Sequence, residues 1–445
     1  MPGKTLQDAL ASAENTVEYL RSNTGRHPYP VEGEFTNWIE ETRSWRETAS
    51  LADLSHHQKD LYVRGPEALD VFADLGVNDF TAFEPGTAKQ FVACNEDGYL
   101  IGDAILFYLD EEELKLTGTP IAPNWVEYNL EIGEYDATSE ADERYHDKDE
   151  PHKTFRYQLQ GPNAKPIMAA AIEGDLQEVP FFTIADFTIA GVDVRALRHS
   201  MSSDPGYEIW GPWEQAETVR SAIVEAGDPH GLRQLGEKSY KVQGSEKGWI
   251  ARPVPAIYGD DMTDYREWLD ADSYEGISSI GGSFQAEDIS EYYLEPVELG
   301  YGRFVDFDHD FPGKDAIRER VENPRREKVT LVWDDADVLE LFASLLREGE
   351  PYKFFDLSMP YWSVFHYDEV LHDGDPVGLS KYFGYTYNER SVLSLAVVDV
   401  EHAAPGTEVT LVWGEPGGES PNPKVEPHVQ TEISATVAPN PYVEQ

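Results

Sequence analysis

The chain has 445 residues, 40% of them apolar and 12% aromatic, so it is long enough for two or three packed domains and too aromatic to stay unfolded. Its 84 acidic residues against 35 basic ones leave a net charge of −49, spread along the whole length. Such a surface repels nucleic acid and anionic membranes, and it repels itself until molar salt shortens the screening length to roughly 3 Å, which points to a high-salt cytoplasm.

The first segment, MPGKTLQDALASAENTVEYL, is charged and amphipathic and reads as a helix, not a secretion signal. No run of eighteen apolar residues follows anywhere, so no membrane span is expected. Helical spacing over 7–22 and again over 37–46 is interrupted by NTGRHPYPVEG, where Pro28 and Pro30 hold Tyr29 extended, in a position to cover a pocket. Next comes DLSHHQKDLYVRGPEALDVFADLG. On an extended segment His56 and His57 point to opposite faces, so they cannot easily share one metal ion, and at most one of them faces a given site.

From Gln58 the pattern alternates between strand and helix. KDLYVRG reads as a strand and PEALDVFADLG as a helix. QFVACNEDGYLIGDAILFYLDEEELKLTG reads as three strands joined at Glu96-Asp97-Gly98 and near Asp110. The single cysteine, Cys94, excludes an internal disulfide and any cysteine-rich zinc site, and it reads as a small buried apolar residue. FRYQLQGPNAKPIMAAAIEG repeats the strand, Gly-Pro turn and helix of LYVRGPEALDVFADLG, with Leu159-Gln160-Gly161-Pro162 echoing Val63-Arg64-Gly65-Pro66. After a charged helix near 312–328, the units VTLVWDD, PVGLSKYFGYTYNE, SVLSLAVVDV and TEVTLVWGE predict an antiparallel β domain, closed by a final strand and a loose terminus. Expected boundaries are 1–150 for the N-terminal extension and first α+β module, 151–328 for the second, and 329–445 for the β domain. No pattern for a metal, a P-loop, a dinucleotide or a Ser-His-Asp site occurs.

Taken together, SHHQKDLYVRGPEALDVFADLGVNDF, GTAKQFVACNEDGYLIGDAILFYL, YQLQGPNA, SSDPGYEIWGP, GLRQLGEKSY, LGYGRFVDFDHDFPGKDAI and GDPVGLSKYFGYTYNERSVLSLAVVDVEHAAPGTEV follow one another as they do in the folate-binding aminomethyltransferases, the glycine-cleavage T-protein family. The resemblance covers roughly residues 45 to 415. It implies an α+β fold of three domains, two α+β modules around a central opening for tetrahydrofolate and one β-barrel-like domain. In that family Glu208 matches a glutamate that accepts hydrogen bonds from the pterin ring, with Tyr207 beside it as a second cofactor-binding candidate. A carboxylate suits the task because it accepts two parallel N–H donors. Asp103 matches the aspartate near the reacting folate nitrogens, where burial among strand residues makes its charge costly unless hydrogen bonds hold it.

Three features depart from the glycine-cleavage enzyme. RQLGEKSYKVQGSEKGW replaces its arginine-rich stretch, the chain is longer, and GRHPYPVEGEFTNWIEETRSWRETASLADLSHH and GWIARPVPAIYGDDMTDYREWL are similar to the tetrahydrofolate-dependent O-demethylases of methoxylated aromatic acids. That resemblance implies a small-molecule methyl donor and a pocket holding His57, Tyr258 and Tyr29, one tyrosine donating to the departing oxygen while His57 orients it. Thr119 stands where those demethylases carry an arginine suited to a substrate carboxylate, and Arg252 is a candidate replacement. Two alternatives remain open at this point. One is an aminomethyltransferase or an N- or S-demethylase whose cationic substrate sits among Trp125, Tyr128 and Tyr258. The other is a non-catalytic folate-binding accessory protein, although its K-G-C-x-x-G-Q-E element is missing.

Overall fold

A computed structural model describes residues 3–25, 31–143, 151–201 and 204–442, so Tyr29 lies outside the described residues. The first sheet is wholly antiparallel, in the order Ala88–Cys94, Leu100–Asp110, Glu113–Gly118, Lys59–Arg64 and Thr138–Glu143. Its three consecutive strands over 88–118 are those that the alternation predicts. Gly98 supplies the left-handed turn residue between the first two, with φ at 75°. Cys94 is fully buried on this sheet, and burial pushes its thiol pKa up.

A second, six-stranded sheet runs Leu232–Leu235, Ala49–Asp53, Thr154–Gln160, Gly206–Pro212, Val192–His199 and Ile184–Ile189, with the first pair parallel and the rest antiparallel. The helices Ala164–Ala171 and Ala216–Gly227 cover one of its faces and share a core with Phe155, Tyr157, Leu159 and Ile209. The two Gly-Pro corners are alike. At Gly65 (φ 140°) a Cβ would lie 2.3 Å from the Asp136 carbonyl oxygen, and at Gly161 (φ 107°) 3.0 Å from that of Thr48. At both positions the backbone therefore requires glycine.

The chain interleaves the two modules. Ala49–Asp53, from the expected first segment, pairs inside the second sheet, while residues between Ile250 and Ile317, from the expected second segment, join the core of the first. The third unit is a closed barrel of Arg326–Trp333, Ser391–Asp399, Asp375–Thr386, Asp368–His372, Glu408–Trp413 and Thr431–Ala438, around Trp333, Phe355, Phe383 and Trp413. Among the described residues no helix is long and apolar enough to cross a membrane.

An ion pair at the end of the barrel gives a pH test. Burial pushes the Glu415 carboxyl up, but the charge of Lys353 and its 2.6 Å hydrogen bond outweigh that and hold the pKa at about 2. A depressed carboxyl stabilises the fold above its unfolded pKa, and that contribution is lost as pH falls from about 4.5 toward 2. It is worth roughly 3 kcal/mol at neutral pH. Denaturant melts at pH 7 and pH 3 are expected to show Glu415→Gln less stable than wild type at pH 7 and the gap closing at pH 3. A gap of constant size would refute the linkage.

Candidate functional site

The three units come together around one helix, Glu237–Lys247, which packs on the barrel and the second sheet, while Trp249 just beyond it reaches Tyr301 on the first-sheet side. Its sequence, EKSYKVQGSEK, has no apolar face, yet residues 242–246 are buried. Val242 packs with Trp45, Ala52, Leu54 and Leu235, and hydrogen bonds hold the rest. Ser239 donates to Glu41 at 2.7 Å, and buried Glu246 accepts from Trp45 Nε1 at 3.0 Å, Arg46 at 2.9 Å and Asn388 at 3.1 Å, tying the helix to Trp38–Glu47 and to the barrel. Gly248 ends the helix in the left-handed conformation, at φ 74°.

On the second sheet side, Glu208 and Gln158 lie opposite each other on neighbouring strands, on the face away from the covering helices. Glu208 is 6% exposed. The nearest nitrogens of basic side chains are Arg156 Nη1 at 3.5 Å and His199 Nδ1 at 3.8 Å. Among the described residues no N–H or O–H donates to its carboxylate within hydrogen-bond distance, and the buried Gln158 Oε1 beside it also lacks a donor. Burial pushes the His199 imidazole pKa down despite the neighbouring Glu208, so the ring stays neutral. Alternation puts Tyr207 on the other face, in the helix-covered core, so the structure does not bring it to Glu208.

On the first sheet side, Asp103 accepts from Gln90 Nε2 at 2.6 Å and from the Tyr301 hydroxyl at 2.9 Å, and Trp249 Nε1 donates to that hydroxyl at 3.0 Å. Burial raises the Asp103 pKa, with these hydrogen bonds opposing the rise. Lys328 donates to the Gly248 carbonyl at 2.8 Å, and burial, with the Arg303 charge, pushes its pKa down to about 8 against the pull of Asp103. Thr119 follows Gly118, where a Cβ would lie 2.7 Å from that of Ala104 and 3.3 Å from the Asp103 carbonyl oxygen, so Thr119 sits beside the Asp103 strand.

The helix itself brings Tyr240, whose hydroxyl is 3.0 Å from His57 Nε2. Burial raises the phenol pKa, as does nearby Tyr382, so Tyr240 is a neutral hydroxyl at ordinary pH. His56 turns the other way, toward Asp53 at 3.7 Å and the rings of His152 and Trp213.

Other candidates fall elsewhere. The Tyr258 hydroxyl donates to the Glu275 carbonyl at 3.4 Å, and Trp125 packs edge-on to Tyr265 at 5.1 Å and beside Tyr128. Both belong to the core of the first sheet. His57 therefore has Tyr240 as its tyrosine partner and not Tyr258. Tyr240, Trp249, Tyr301 and Gln158 were not singled out from the sequence. The only available signal was position, in stretches such as GLRQLGEKSY and LGYGRFVDF that carry the family resemblance.

Two α+β sheets and a barrel joined at one polar helix, with an acidic side chain from each sheet nearby, are the arrangement that the resemblance to the folate-binding aminomethyltransferases implies. Residues 6–272 match the GCVT N-terminal domain, and the chain belongs to that family. It is 44% identical to a syringate O-demethylase of Sphingobium sp. (strain NBRC 103272 / SYK-6) over 99% of this chain and 96% of that protein. It is 31% identical to a sesamin methylene transferase of Sinomonas sp. (strain No.22), covering 92% and 89% of the two chains. The solved glycine cleavage system aminomethyltransferase T from Bartonella henselae has the same fold, with a TM-score of 0.60, 18% identity, and 92% and 90% coverage.

The chain is thus a tetrahydrofolate-dependent one-carbon transferase, and the non-catalytic accessory reading is set aside. The residues present fit that cofactor. Glu208 and Gln158 are buried acceptors without donors of their own, the complement of a pterin edge rich in N–H groups.

Proposed function

We propose that this enzyme moves a methyl group from the ether oxygen of a methoxylated aromatic acid to tetrahydrofolate. The observation that carries the reading is the His57–Tyr240 hydrogen bond at the helix around which the three units come together. Tetrahydrofolate, when bound, supplies the nucleophilic N5 nitrogen. As the methyl–oxygen bond breaks and the methyl–nitrogen bond forms, the departing phenolate oxygen needs a hydrogen-bond donor. Tyr240 is a neutral phenol in this reading, with His57 Nε2–H donating to its oxygen and its own hydroxyl turned to donate to the ether when the substrate binds. Asp103, whose pKa burial raises, would accept a proton from the cofactor's reacting nitrogen. Glu208 and Gln158 hold the pterin.

Among amine and sulfonium substrates nothing comparable supports the reading, because Trp125, Tyr128 and Tyr265 spend their ring faces on one another. The test is formation of 5-methyltetrahydrofolate from methoxylated benzoates by the purified enzyme. Formation only from N- or S-methyl donors would overturn the ether reading.

The charge of −49 further supports a high-salt cytoplasm as the working environment. Raising KCl from roughly 0.1 to 2 M is expected to raise the Tm by several degrees, through screening of self-repulsion. A Tm that is flat or falls with salt would argue against it.

A further inference from the structure

A small pocket, open to solvent, lies between the segment after the Glu237–Lys247 helix and the barrel, and Arg252, Lys381, Tyr361 and Tyr382 are among the residues that line it. Two cations face this space. Lys381 is 2% exposed, donates to the His366 carbonyl at 3.3 Å and lies 3.4 Å above the Tyr367 ring. Arg252 donates to the Tyr361 hydroxyl at 2.8 Å and stacks on that ring at 4.5 Å. Among the described residues neither pairs with an aspartate or glutamate. The acid nearest in sequence to His366 on the cavity wall, Asp368, is committed to that histidine at 2.7 Å. Two positive groups held together without a counter-charge are costly, and an anion between them removes the cost.

Arg252 also has a positive φ of 55°. A non-glycine residue held in the left-handed region is strained, and such residues cluster where a ligand is gripped. The cavity adjoins the transfer site. Tyr382 packs on Gly244, where a Cβ would meet its ring at 2.8 Å, and its hydroxyl donates to the Lys241 carbonyl. Gly244 is one helical turn beyond Tyr240, on the same face of the helix.

Building on the methyl-ether reading above, we infer that Arg252 and Lys381 form a carboxylate subsite that holds the acid group of the aromatic methyl donor while Tyr240 meets its ether oxygen. A guanidinium suits a carboxylate bidentately, and the buried ammonium adds a point charge. Burial and the Arg252 charge hold the Lys381 pKa well below its usual value, and an arriving carboxylate offsets both effects. The subsite supplies from the barrel side what Thr119 cannot.

The experiment compares 4-hydroxy-3,5-dimethoxybenzoate with its methyl ester in wild type, Arg252→Gln and Lys381→Met, with thermal melts and tetrahydrofolate titration as controls for folding. Each variant is expected to raise KM for the acid by roughly 10-fold or more, to leave the ester within about twofold, and to leave tetrahydrofolate affinity unchanged. Equal losses for acid and ester would assign the two residues to packing and overturn the subsite. Weakened tetrahydrofolate with unchanged KM for the acid would assign the cations to the glutamate tail of the folate and overturn the donor assignment. If wild type turns over neither compound, the ether reading fails, and the subsite is read by direct titration with the acid. Saturable binding lost in Arg252→Gln would then uphold it, and no binding would end it.

Discussion

Tyr240→Phe is expected to lower kcat for methyl transfer by roughly 10²–10⁴-fold while leaving tetrahydrofolate affinity within about twofold. The substitution removes one oxygen from a buried ring and changes little else. That oxygen lies 3.0 Å from His57 Nε2 and is held protonated by burial, the state needed to stabilise a departing phenolate. A loss confined to kcat would mark an interaction made chiefly in the transition state, whereas a rise in KM alone would mark ordinary substrate binding. His57→Ala should show a smaller loss in the same direction, because it removes the group that orients the phenol. Rapid-quench formation of 5-methyltetrahydrofolate in a single turnover is the measurement that separates chemistry from release. Unimpaired chemistry in Tyr240→Phe would remove the tyrosine from the mechanism.

Glu208→Ala is expected to weaken tetrahydrofolate binding by roughly 30- to 150-fold, corresponding to about 2–3 kcal/mol for charge-assisted hydrogen bonds to a buried carboxylate. Glu208→Gln keeps the shape but presents an amide N–H toward a pterin edge that is itself a donor, so it should recover little. The carboxylate is poised for this role because it is 6% exposed and its nearest basic side chains, Arg156 at 3.5 Å and neutral His199 at 3.8 Å, lie beyond good hydrogen-bond length. Removing it also leaves Arg156 with one fewer neighbouring charge, so the protein needs a thermal melt alongside the titration. Titration by intrinsic fluorescence or calorimetry reads the result. Full affinity in a folded Glu208→Ala would place the folate elsewhere.

The strands over 88–118 were legible because alternating apolar residues and a turn glycine are local signals. His56 and His57 also part, one toward Trp213 and the other toward Tyr240, but from the turn between Ala49–Asp53 and Lys59–Arg64 and not from an extended strand. The same alternation, applied to Tyr207 and Glu208, would have sent the tyrosine into the helix-covered core, where the structure places it. Tyr240 was harder to find. It lies on a helix with no apolar stripe, buried by hydrogen bonds to Glu41 and Glu246 whose partners are some two hundred positions away in sequence. Nothing within a window of the sequence distinguishes such a helix from an exposed one.

By itself, then, the sequence determined the element types, the strand–Gly-Pro–helix repeat, the antiparallel β domain and the family. These rest on local periodicity and on residues kept in order along the chain. Only the tertiary structure decided that Ala49–Asp53 joins the second sheet, that Tyr240 and not Tyr258 meets His57, and that Arg252 and Lys381 share a cavity. Each of those facts is a pairing between distant segments, settled by which buried polar and charged groups can satisfy one another once the three units close together.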